Sequence, residues 1–166
     1  MNLIKYEEII NKTAVYPKKV DDAGLYYCLV GLFDEIDEVK EKILDGESEE
    51  SINKELGDVV WYLCALCNEL GISFNKVITE RKELDEREFR VELLYGIVKK
   101  HYRDNKPIDK EKVYYILSNF AFGILDHLPE EEILKILEDN YNKLMLRRET
   151  NTLHGDGDNR EQNANS

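Results

Sequence analysis

Four acidic residues, Glu35, Glu38, Glu55 and Asp58, come as two pairs, each separated by three positions. On an α-helix that spacing puts both members of a pair on one face. On a helical wheel Glu35 and Glu38 lie on one shoulder of the apolar stripe of their segment, with Asp34, Asp37 and Glu41 on the opposite, solvent side. Glu55, Asp58 and Tyr62 form a second shoulder cluster. Between the pairs, Asp45-Gly46-Glu47-Ser48 has the chemistry of a turn. Glu38 precedes Asp45 by as many residues as Glu55 follows Ser48. An αα-hairpin therefore brings all four acids to one height, roughly 10 Å from the turn. Carboxylates gathered so closely repel one another, and a divalent cation is the natural relief. Oxygen ligands favour Mg²⁺, or Mn²⁺ in its place, over Zn²⁺, because no Cys or His shares the shoulder.

Two other readings of the acids compete with this one. A di-iron carboxylate bundle wants Glu-x-x-His pairs, and none of His101, His127 and His154 follows a Glu at that spacing. A chain with 35 Asp and Glu also shows acidic pairs by chance on solvated faces. Trp61 falls on the far side of its helix, as a packing residue would. Cys64 and Cys67 sit inside an apolar helix and read as buried thiols rather than a redox pair.

The elements that must carry these residues are all helical. Leu3, Tyr6, Ile9, Ile10, Thr13 and Ala14 recur at helical spacing, and Pro17 stops that first helix. Asp21 or Asp22 can cap a second helix, whose stripe is Leu25, Cys28, Leu29, Leu32, Ile36, Val39 and Ile43. The third runs from about Glu49 to Leu70, and its second half is apolar nearly all round, as a central buried helix is. Gly71 ends it, and Ser73 or Asn75 can cap a fourth helix reaching towards Arg90. Two more helical patterns follow, broken at Asp104-Asn105-Lys106-Pro107, and Pro129 opens a last helix to about Arg148. No segment alternates with period two, so an all-α helical bundle is expected, with residues 1–150 as one domain and 151–166 as a Gly-rich polar tail. Asn53-Lys54-Glu55, an apolar helix, a break and a charged helix ending in Leu84 find a faint echo in Asp109-Lys110-Glu111 through Leu144, without the acids. That echo reads as an internal duplication in which only the first half kept a site, with about 84–128 an insertion or a degenerate repeat.

Composition bounds the partners. The chain has 166 residues, 42% apolar and 35% charged, with a net charge of −12. This disfavours nucleic acid and anionic membrane surfaces, whose phosphates it repels. No apolar run approaches about 18 residues and no secretory leader is recognisable. Three cysteines, an odd number without scaffold spacing, fit a reducing cytoplasm.

Gly31-Leu32, Glu35-x-x-Glu38-Val39, a gap, and Glu55-Leu56-Gly57-Asp58-Val59-Val60-Trp61-Tyr62-Leu63 resemble the MazG-like all-α nucleoside triphosphate pyrophosphohydrolases, whose signature is E-x-x-E followed by E-x-x-D. Asn140-x-x-Lys143-Leu144-x-x-Arg147 and the tail Leu153-His154-Gly155-Asp156-Gly157-Asp158-Asn159-Arg160 are also similar to short members, so the likeness spans about residues 3–80 and 130–160. Asp34 and Asp37 stand where the family usually has small residues, and the stretch from about 84 to 128 is foreign to the short members. The resemblance implies Mg²⁺-dependent hydrolysis of a (deoxy)nucleoside triphosphate to the monophosphate and pyrophosphate, and a dimer or tetramer. Glu35, Glu38, Glu55 and Asp58 would hold the metal, and Glu38, with Glu35 beside it, would orient or deprotonate the attacking water. Asn140, Lys143 and Arg147, which share one face of the last helix, would grip the β- and γ-phosphates, with Tyr62 near the sugar or phosphate. Tyr16, Tyr26 and Tyr27 are candidates for the base, and the His154–Arg160 loop for closure over phosphates. The alternative is a non-catalytic helical nucleotide-binding or interaction module that keeps a relic of this site.

Overall fold

A computed structural model describes residues 1–14 and 22–152. The described residues form eight helices and no strand. Helix α1 spans Leu3–Thr13, capped by Asn2, whose side chain accepts the Lys5 N–H at 2.8 Å. Helix α2 (Ala23–Leu44) and helix α3 (Glu49–Leu70) form the expected hairpin. The turn between them closes as a Schellman motif: the Glu47 N–H reaches the Lys42 carbonyl at 3.0 Å, and Gly46 takes the left-handed conformation, φ 69°. Ser48 then caps α3 by accepting the Ser51 N–H at 3.2 Å. Gly71, with φ 63°, ends α3 where the sequence places its stop.

Helix α4 (Phe74–Thr79) and the single turn α5 (Glu86–Phe89) precede α6 (Leu93–Asp104), α7 (Lys110–Leu125) and α8 (Glu130–Glu149). Helix α3 is the axis: α1, α2, α4, α7 and α8 all pack on it. Its residues Leu63, Cys64, Ala65, Leu66 and Cys67 have no more than 1% of their surface exposed. They belong to one apolar cluster that runs from Tyr6 to Leu144. A helix surrounded this way gains from burial on every face, roughly 1.5–3 kcal/mol for each large side chain.

Three expectations need correction. Asp22 occupies the N-cap position of α2 but caps nothing: it takes a left-handed φ of 62° and its carboxylate meets His101 Nε2 at 3.1 Å instead. The alternative cap Asp21, like Pro17, lies outside the described residues. The apolar stripe of α2 stops short, since Ile43 is exposed beside the turn. The fourth helix does not run to Arg90; it ends at Thr79. The cause is competition from α7, whose side chains take over the backbone of the following segment. Asn119, buried, accepts the Leu84 N–H at 2.8 Å and donates to the Phe89 carbonyl at 3.4 Å, while Ser118 donates to the Glu80 carbonyl at 3.3 Å. Asp85 then starts a new turn by accepting the Arg87 N–H. The two halves of the supposed repeat therefore differ in shape, six residues in α4 against 20 in α8.

Asn119→Ala removes the partner of a part-buried N–H, which costs about 1–3 kcal/mol. The expected result is a lower urea midpoint together with faster hydrogen exchange at Leu84. Unchanged exchange there would show that Asn119 does not hold the segment.

Candidate metal centre

The hairpin turn fixes the heights of the acids, and the burial of α3 fixes their direction. Oxygen atoms of Glu35, Glu55 and Asp58 all lie within 4.8 Å of one another. Glu55 is only 2% exposed, an unusual position for a carboxylate, and Glu35 and Asp58 are half-buried. Glu38 is not one of the converging three. It stands exposed one turn along α2, close enough to add to the negative field at Glu35.

The surroundings of the trio are cationic or hydrogen-bonding. The Lys42 ammonium sits 3.1 Å from Glu55 Oε1 and donates to Ser51 Oγ at 3.1 Å. On the other side, Asn140 Nδ2 donates to Asp58 Oδ1 at 2.8 Å and the Lys143 ammonium donates to Asp58 Oδ2. Asn140 is itself aimed by Tyr6, whose hydroxyl donates to its Oδ1 at 2.8 Å. With the carbonyl oxygen so engaged, the amide N–H₂ must face Asp58. Burial, reinforced by Cys64 and Asp58, pushes the Tyr6 phenol well above its ordinary value, so it stays a donor. Helix α8 comes this near because Gly57 has no side chain: a Cβ there would lie 3.1 Å from Asn140 Cβ.

Glu35 carries the electrostatic stress of the cluster. Burial first, then the negative charges of Asp58, Glu38 and Glu55, push its carboxyl up to about 8, with Lys143 opposing. Without a cation, then, Glu35 relieves the crowding by holding a proton at neutral pH. An all-oxygen donor set, nearly in contact and holding one carboxyl protonated, fits a hard divalent cation.

On α2, one turn before Glu35, the Tyr62 ring lies against the bare backbone of Gly31; a Cβ at that position would meet the ring at 2.1 Å. Tyr62 Oη contacts Tyr27 Oη at 3.3 Å, and the two rings are tilted with centroids 5.9 Å apart. Burial and the Tyr27 hydrogen bond push the Tyr62 phenol upward. Trp61 packs as expected, its indole N–H reaching Thr13 Oγ1 at 3.5 Å. Cys64 and Cys67 are free thiols in the core.

The structure thus brings together Glu35, Glu55, Asp58, Asn140 and Lys143, keeps Glu38 at the edge and sets Tyr62 one turn away. Arg147 is buried at 5% exposure, two turns beyond Asn140 on α8. Tyr26 packs edge-on against Tyr102. Tyr16 and the His154–Arg160 loop lie outside the described residues. Sequence reasoning missed Lys42 and Tyr6. Lys42 left a readable signal, since positions 35, 38 and 42 follow the helical spacing of three and four. Tyr6 left none, because its place in an apolar period hides what its hydroxyl does.

Residues 27–87 match the family model described as the MazG nucleotide pyrophosphohydrolase domain. That span contains all four acids and Tyr62, whereas Asn140 and Lys143 lie beyond it. The chain is similar to the "Gene 37 protein" of Mycobacterium phage L5, with 31% identity over 90 residues, 46% of this chain and 79% of the phage protein. No solved structure matches.

The raised Glu35 value sets a pH dependence. A carboxyl whose folded value lies above its unfolded one contributes stability below the unfolded value and loses it as pH rises. The metal-free protein is therefore expected to lose thermal stability between about pH 5 and pH 8, and Glu35→Gln to flatten that slope. Added MgCl₂ should raise Tm more at pH 8 than at pH 5.5. Equal shifts at both values, read by differential scanning fluorimetry, would contradict this picture of the trio.

Proposed function

Since the chain belongs to the MazG nucleotide pyrophosphohydrolase family, we propose that it hydrolyses (deoxy)nucleoside triphosphates to the monophosphate and pyrophosphate, with Mg²⁺ or Mn²⁺ as cofactor. The observation that carries the reading is the convergence of Glu35, Glu55 and Asp58 within 4.8 Å. These three would hold the cation, with Glu38 completing the acidic signature at their edge. When bound, Mg²⁺ would supply positive charge that offsets the negative charge of the phosphates, an attraction that grows as negative charge develops on the leaving pyrophosphate.

The chain's own groups do the rest. Glu38, exposed at the edge of the trio, orients a water and takes its proton. The water oxygen bonds to the α-phosphorus while the bond from that phosphorus to its bridging oxygen breaks, and the electron pair leaves with pyrophosphate. Lys143 and Asn140, already on Asp58, turn donors towards phosphate oxygens, where preorganised hydrogen bonds favour the transition state. Arg147 supports that face of α8 from its buried position. Tyr62, seated on Gly31 beside Tyr27, bounds the nucleoside side. A homo-oligomer, dimer or tetramer, and a cytoplasmic setting fit the family and the free thiols; no helix among the described residues is long and apolar enough to cross a membrane.

The test is a panel of the common NTPs and dNTPs, dUTP included, with Mg²⁺ and a pyrophosphate readout. At least one substrate is expected to turn over, and Glu38→Gln should lower kcat on the order of 10²–10⁴-fold in a protein that still folds. A non-catalytic module with a relic site would bind nucleotide and release no pyrophosphate. Full activity in Glu38→Gln would remove that residue from the mechanism.

A further inference from the structure

Among the described residues Tyr6 is the largest side chain that is fully buried. Its ring packs in the apolar cluster, tilted against Phe74 with centroids 6.0 Å apart. Phe would fill that space as well, and a buried phenol hydroxyl costs free energy unless it is hydrogen-bonded. The hydroxyl donates to Asn140 Oδ1 at 2.8 Å, across 134 positions of the chain. Asn140 is 4% exposed, and its amide donates in turn to Asp58 Oδ1 at 2.8 Å. Neither Tyr6 nor Asn140 falls in residues 27–87, the span matched by the family model. Helices from opposite ends of the chain thus meet at the acids through two successive hydrogen bonds.

We propose that Tyr6 is a positioning residue of the metal centre: acting through Asn140, its hydroxyl holds the Asp58 carboxylate in the rotation that converges with Glu35 and Glu55. The inference rests on the metal-binding part of the hydrolase reading and adds a determinant of metal affinity that is not itself an acid. The need for one follows from charge. Asp58, Glu35 and Glu55 have oxygens within 4.8 Å of one another, and their repulsion favours any rotation that takes a carboxylate out of the group. Lys143 also donates to Asp58, but an ammonium on a flexible four-carbon stem follows a carboxylate as it turns. Asn140 has a short side chain enclosed between Gly57 and Tyr6, so its N–H stays in one place.

The hydroxyl matters because of the other end of the amide. An ionised carboxylate only accepts, so Asn140 must face Asp58 with its N–H and leave its carbonyl oxygen towards Tyr6. That buried oxygen needs a donor, and the Tyr6 hydroxyl is placed to be one. With Phe at position 6 the oxygen loses it, and the amide lowers its energy by turning away from Asp58. Asp58 is then released from its rotation, and the acids converge less closely on a cation.

Mn²⁺ titrated into the intact protein and followed by EPR tests this without substrate. The free ion reports affinity, and the spectrum of the bound ion reports its coordination. Loss of a group that orients a metal ligand costs about 10- to 100-fold in affinity, and Tyr6→Phe is expected to weaken Mn²⁺ by roughly that factor and to alter the bound spectrum. Ser118→Ala removes another fully buried hydroxyl, which serves the Glu80 carbonyl, and should leave both readouts as in the parent whatever it does to Tm. Because Tyr6 acts through Asn140, adding Tyr6→Phe to Asn140→Leu should cost no further affinity. That double variant replaces both hydrogen-bonding partners by apolar groups, so it serves where Tyr6→Phe alone fails to fold, and it should bind Mn²⁺ as weakly as Asn140→Leu. Parent-like binding in Tyr6→Phe or in the double variant, an equal loss in Ser118→Ala, or losses that multiply in the double variant would overturn the proposal and leave the metal centre standing. A parent protein that binds no Mn²⁺ would overturn the metal reading itself, and the proposal with it.

Discussion

The repulsion among Glu35, Glu55 and Asp58 is the constraint around which the rest of the structure is arranged. Three carboxylates within 4.8 Å are held together by groups that come from every side: a lysine from the same helix as Glu35, an asparagine and a lysine from α8, and a proton on Glu35 itself. None of these compensations would suffice if the hairpin could splay. The burial of α3 prevents that, since its apolar faces are covered by five other helices. Packing energy, spread over many side chains, keeps a locally unfavourable arrangement of charge in place.

The second layer of control runs through hydrogen bonds of defined direction. Tyr6 donates to Asn140, and Asn140 donates to Asp58. Because the phenol is buried and held neutral, the chain of donors points one way, from α1 through α8 to the acids of α3. Gly57 lets α8 close on α3, and Gly31 gives Tyr62 a flat seat on α2. Both glycines flank the acids in the sequence and act by the absence of a side chain.

Much of this was legible in the amino-acid order. The pairing of Glu35 with Glu38 and Glu55 with Asp58, the turn between them and the all-round apolar character of residues 59–67 were enough to place α2 and α3 and to level the acids. Local signals of that kind, period and turn chemistry, survive folding because both helices are long. The failures lie where a distant side chain outbids the local pattern. The segment after Thr79 has charges that would tolerate a helix, but Asn119 and Ser118 from α7 claim its backbone. Asp22 looks like a cap and is drawn instead to His101. Glu38 falls outside the converging trio because the wheel gives direction and not reach. The spacing 35, 38, 42 puts Lys42 on the face of the acids, and the hairpin then brings it to Glu55 on the other helix.

The burial of α3 also divides the molecule by how freely it can change over generations. Glu55 and Asp58 share their helix with the densest part of the interior, so neither can drift without disturbing many neighbours at once. The surface of the neighbouring helices is another matter: Tyr27 on α2 and Lys135 on α8 are exposed. Descendants of such a protein can acquire new ligand preferences by altering that surface, while the inner helix stays as the fixed jaw against which each variant closes.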